Sequence, residues 1–156
     1  MNIILPNFSV ILTDDEVVDL LFHICSLWQT ERNIVHWCRP FKIQKAPIVP
    51  EEFLFDPIRL KRIYFYYGSQ YAMQTAAETA MDVENRRRSD NVIVEFPDVT
   101  HKGAVAAFLA ILSQFSKNDR KSVVILKKEE MYLNTISMYT PNIFEFKEGN
   151  LVRLVE

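Results

Sequence analysis

Asn91-Val92-Ile93-Val94-Glu95-Phe96 is the stretch on which the fold turns: it is apolar on successive residues, the look of a strand covered on both faces. Pro97-Asp98-Val99-Thr100 breaks that run. From Gly103 to Ser116 the residues Val105, Phe108, Leu109, Leu112 and Phe115 then recur at helical spacing. Ser122 to Leu126 (S-V-V-I-L) is a second interior-type run, reached through the charged turn Lys117-Asn118-Asp119-Arg120. Strand, helix and strand in this order predict parallel neighbours, which need a crossover between them.

Upstream, Ile63 to Tyr67 is a dense aromatic and β-branched run ended by Gly68-Ser69, and Ser69 can cap a following helix. That helix would carry Tyr71, Ala72, Thr75, Ala76, Thr79, Ala80 and Val83 on a small-residue face and close on Arg86, Arg87 and Arg88, a solvated end where cations suit the dipole. Ile63–Tyr67, Asn91–Phe96 and Ser122–Leu126 are expected to be neighbouring strands of one sheet. Pro40, Pro47, Pro50 and Pro57 disfavour both helix interior and central strand, so 40–57 reads as an extended, irregular connection. Ile34 to Trp37 has strand character.

Thr13-Asp14-Asp15-Glu16 matches a capping box and predicts a helix from Thr13 to near Thr30. Its buried stripe would be Val17, Leu20, Leu21, Ile24 and Trp28, with Asp15, Asp19, His23 and Ser26 on the opposite side. Asn2 to Leu12 reads as a small hairpin or bent strand around Pro6-Asn7. Residues 128–139 fit either period. Ile143–Phe146 and Leu151–Val155, flanking Glu148-Gly149-Asn150, predict a terminal hairpin. The expected fold is therefore α/β, a mixed, mostly parallel sheet with helices packed on its faces and a C-terminal β-hairpin. One domain over 1–156 is expected, with 1–39 an N-terminal αβ segment, 40–57 a Pro-rich connection and 58–156 the main sheet-forming body.

The chain has 156 residues, of which 49% are hydrophobic and 12% aromatic, enough to fill a core without disulfides or metal. No apolar run reaches a membrane span, and residues 1–6 hold no charged leader, so a cytoplasmic protein with no membrane association is expected. Cys25 and Cys38 are too few for a disulfide scaffold and read as reduced. The net charge of −2 makes nucleic acid an unlikely partner. Charge is uneven, however: residues 1–57 hold four basic and eight acidic side chains, a net of −4. Only three glycines occur, Gly68, Gly103 and Gly149, which excludes a dinucleotide fingerprint and a Walker loop.

His23-Ile24-Cys25 and His36-Trp37-Cys38 offer zinc-type ligands, but residues two apart on a helix lie about 200° around its axis and cannot converge on one ion. A Cys–His nucleophile is poorly served too, since nothing basic flanks Cys25. No metal and no cofactor are expected. The loop after Phe96 is the candidate ligand site, with Asp98, Thr100, His101 and Lys102 joined by Ser69 from the equivalent end of another strand. These residues suit a small anion or nucleotide crevice. They equally suit a plain helix cap with solvated His101 and Lys102.

Val92 to Leu112 resembles the strand-to-helix joint of STAS domains, the anti-sigma-factor-antagonist family. That family places an Asp-Ser pair between the valine-threonine of the joint and its glycine. Here the stretch is shortened to His101-Lys102, so the family's phosphorylated serine has no counterpart, and the resemblance is one of fold only. With no catalytic set in view, the leading expectation is a non-catalytic protein-binding domain, an inhibitor or immunity-type protein that neutralises a basic toxin or effector. Asp14, Asp15, Glu16 and Asp19 would form its partner interface. The alternatives are a regulatory module binding a small anionic ligand or nucleotide, and an unrecognised enzyme; the oligomeric state stays open.

Overall fold

A computed structural model describes residues 5–29, 33–68, 91–96, 102–116, 120–128 and 133–154. Within them lie seven strands, β1 (Phe8–Leu12), β2 (Val35–Arg39), β3 (Ile63–Tyr67), β4 (Asn91–Glu95), β5 (Ser122–Leu126), β6 (Ile143–Lys147) and β7 (Asn150–Arg153). The helices are α1 (Val18–Trp28), α2 (Glu51–Phe55), α3 (Lys102–Phe115) and α4 (Leu133–Ser137), with a 3₁₀ turn at Pro57–Arg62. The strands form one sheet in the order β3-β2-β4-β5-β1-β6-β7. All neighbours are parallel except β6 and β7, which make the antiparallel C-terminal hairpin. The chain is thus α/β, with a mostly parallel mixed sheet.

Alternation along the strands divides the core in two. Val10, Leu12, Val92, Val94, Val124 and Leu126 face α3 and α4, packing with Val105, Leu109, Leu112 and Ile136. Ile11, Val35, Trp37, Ile93, Val123 and Ile125 face the other way, against α1 and Phe53 of α2. The central strands are therefore buried on both faces, and β1, β4 and β5 are buried at every position.

Several expectations change. Ile63–Tyr67, Asn91–Glu95 and Ser122–Leu126 are all strands of this sheet, and β4 does pair with β5. β3, however, is an edge strand separated from β4 by β2. Residues 8–12 are an interior parallel strand between β5 and β6, not part of a hairpin, because pairing on both sides satisfies more backbone than a local turn could. The connection 40–57 is not wholly irregular: Pro50 directly precedes α2, where a proline costs no intrahelical bond. Residues 133–137 of the ambiguous stretch are helical.

Helix α1 starts at Val18, not Thr13. Thr13 Oγ1 accepts from the Asp15 N–H at 2.9 Å and donates to the Phe146 carbonyl at 2.7 Å, which ties the β1–α1 loop to β6. Glu16 takes over the cap, its Oε1 accepting from the Val17 and Val18 N–H groups at 3.0 and 3.1 Å. The buried face of α1 is also wider than one stripe, taking in Val18, Phe22, Cys25 and Ser26. The cause is the 51–62 segment, which lies over the helix. Phe53 packs edge-on against Phe22, and Arg59 Nη2 donates to the Ser26 and Gln29 carbonyls.

Candidate functional site

In an open α/β sheet the gap left where successive connections depart to opposite faces lies outside the carboxyl ends of the strands. Here β1 leads into α1 on one face while its neighbour β5 leads towards α4 on the other. The same divergence separates β2, which leads into α2, from β4, whose face-mate helix α3 packs opposite. At that edge lies a crevice of about 390 Å³, within the range of about 300–1,000 Å³ usual for small-molecule sites. All four strands contribute to it: Thr13 and Asp14 after β1, Arg39 at the end of β2 with Phe41 beyond it, Glu95 at the end of β4 followed by Phe96, and Leu126 at the end of β5 followed by Lys127.

Its polar wall is a buried cluster on the α1 face. The Trp37 indole N–H donates to Glu95 Oε2 at 2.6 Å, and Arg39 Nε lies 3.2 Å from the same oxygen. The Arg39 approach is an ion pair without the alignment of a hydrogen bond, so Nε and Nη1 are buried with no acceptor among the described residues. The two side chains keep only 12% and 10% of their surface in contact with water. Burial pushes the Glu95 carboxyl above its ordinary range, Arg39 and the Trp37 hydrogen bond pull it back in part, and Glu16 adds a further upward push. A titratable group displaced in this way, in a cleft at the strand ends, marks a candidate site.

Of the residues expected at a partner interface, Asp14, Asp15 and Glu16 line this crevice, and Asp19 lines the neighbouring pockets. Three of the four also hold backbone. Asp15 Oδ2 accepts from the Glu148 N–H and Asp19 Oδ1 from the Ile48 N–H, both at 2.9 Å, while Glu16 caps α1. Of the expected ligand loop, Ser69, Asp98, Thr100 and His101 lie outside the described residues, and Lys102 is the first residue of α3.

Cys25 and Cys38 are free and buried. Loss of hydration raises both thiols, Cys38 to about 12, so neither carries a thiolate near neutral pH. His36 Nδ1 lies 2.9 Å from the Tyr66 hydroxyl, in a ring stack with it. Among the described residues, no cluster of three or more His, Cys, Asp or Glu is placed to hold a metal ion, and no helix is long and apolar enough to cross a membrane.

Arg39, Trp37 and Glu95 were not among the residues singled out from sequence. One signal existed: Glu95 is the lone charge in the run Val92 to Phe96, and a charge inside a buried strand needs a partner. The partner itself lies 56 residues away in sequence. No protein-family model matches the chain and no curated protein sequence is similar to it. The functional reading therefore rests on the crevice itself.

Proposed function

We propose that this protein is a small-ligand-binding α/β module whose ligand enters the crevice at the carboxyl ends of β1, β2, β4 and β5. The observation that carries the reading is the Arg39–Glu95 pair buried in its wall. Such a pair is a weak source of stability, because desolvation offsets most of the attraction and a well-packed apolar pair does as well. At the edge of a parallel sheet where ligands sit, it has a use instead. The test is an NMR titration with a library of small polar metabolites, read at the Trp37 indole N–H and the amides of Thr13, Phe96 and Lys127. Binders should shift these resonances, and Asp14→Trp on the exposed rim should abolish the shifts. A library with no such member, or binders that shift only residues elsewhere, would overturn the reading.

A basic protein partner is the second reading, as for an inhibitor of a toxin or effector. One observation favours it: Asp15, Glu16 and Asp19 surround a neighbouring pocket of about 640 Å³ floored by Leu20, Ile48, Val49 and Phe146. Complementary charge would act mainly on association rate and partner choice. Because Asp15 and Asp19 also hold backbone N–H groups, the informative variant is Asp15→Asn with Asp19→Asn, which keeps the acceptors and removes the charge. It should associate more slowly with a partner of the parent chain and show a shallower salt dependence. An unchanged rate and salt slope would reject the acidic side of α1 as the interface.

A further inference from the structure

We infer that the ligand of the crevice carries a protonated amine or guanidinium, received by Glu95 with Glu16 and Asp14 beside it. This rests on the crevice reading above and adds the chemical class of the ligand. Charge points that way first. Among the described residues the lining holds four carboxylates, Asp14, Asp15, Glu16 and Glu95, against the two cations Arg39 and Lys127.

Among the described residues, moreover, the groups an anion would use are either engaged or closed off from water. The N–H groups of Val17 and Val18 at the start of α1, where a phosphate would normally sit, are taken by Glu16 Oε1. The Arg39 guanidinium is turned towards Glu95, with Nε and Nη1 closed off from water, so it offers a phosphate no open fork. Glu95, in contrast, has capacity to spare. Both of its contacts fall on Oε2, and among the described residues no donor is bonded to Oε1. A carboxylate nine-tenths withdrawn from water, with one oxygen unused at the wall of a crevice, is a receptor for a charge-assisted N–H donor. Exposed Phe41 supplies an apolar wall for an alkyl stem.

Agmatine and spermidine serve as cationic probes, inorganic phosphate and adenosine monophosphate as anionic ones, each titrated while the Trp37 indole N–H is followed. The cationic probes should shift it. Glu95→Gln, which keeps an acceptor for the indole, should weaken them about tenfold or more, the loss of a hydrogen bond to a charged group. Asp14→Asn, on the exposed rim, should cost less. Affinity for the amines should also fall on acidification, as Glu95 gains its proton beside Arg39, Glu16, Asp14, Asp15 and Lys127.

If neither amine shifts the indole, or Glu95→Gln binds both amines as tightly as the parent, the cation inference is overturned. Should phosphate or other library members shift it while the amines do not, the inference fails and the crevice reading stands. Silence from these probes and from every member of the library rejects both. Should Glu95→Gln fail to fold, Asp14→Asn and the pH series of the parent chain decide.

Discussion

Glu95 and Arg39 end adjacent strands on the same face, so each brings its charge to the other without solvent between them. The displaced carboxyl of Glu95 couples protonation to folding. Its folded value is raised above the ordinary 4.5, so the native state binds the proton more tightly than the unfolded chain does. The contribution to stability is therefore full below about pH 4.5 and is lost as pH rises through the raised value. Urea unfolding of the parent chain and Glu95→Gln across a pH series, compared as a difference, should show the parent losing ground to the variant as pH climbs. A flat difference would remove the coupling. Arg59 offers a second case, since its guanidinium caps the carbonyl end of α1 at Ser26 and Gln29 and lies over the Phe53 ring at 5.7 Å. Arg59→Ala should destabilise the protein by about 2 kcal/mol, seen as a lower urea midpoint, and Arg59→Lys should recover part of that.

Elements end where local chemistry changes. The β6–β7 hairpin turns on Glu148 and Gly149, both at positive φ, 52° and 79°. Two central residues in that conformation make a type I′ turn, which matches the twist of the flanking strands and favours Asn-Gly. Glu148 is the misfit. Glu148→Asn should raise stability by up to about 1 kcal/mol, and Gly149→Ala should lower it by about 1–2 kcal/mol, because a Cβ is strained in the left-handed region even with open space around it. Thermal midpoints of the two variants moving in the same direction would contradict this. The turn also bears on the site, for the Glu148 N–H donates to Asp15 beside the crevice.

Across the whole molecule the sheet is graded in burial. β1, β4 and β5 are covered on both faces, β3 is an edge strand, and β7 is exposed at three of its four positions. Native-state hydrogen exchange should follow that grading: the amides of Val10, Ile93 and Val124 should exchange only on global opening, and those of β7 by local fraying. Slower exchange in β7 than in β4 would show that burial does not set the order. The same architecture explains why charge gathers where it does. Strand carboxyl ends and the first turn of α1 meet at one edge, and Glu95, Glu16, Asp14 and Arg39 share it.

The alternation and run lengths of the sequence were enough to determine an α/β chain, the strands at 63–67, 91–95 and 122–126, the helix after Gly103 and the terminal hairpin. These are signals of local period and turn chemistry, which act within a few residues. Tertiary structure alone decided the strand order, in which Phe8–Leu12 lies between β5 and β6 and Val35–Arg39 separates β3 from β4. It also decided the start of α1, where Thr13 is drawn to the Phe146 carbonyl and leaves the cap to Glu16. The site belongs to the same class. Arg39 and Glu95 are unremarkable in isolation, and become a paired, dehydrated cluster only because a parallel sheet sets the ends of β2 and β4 side by side.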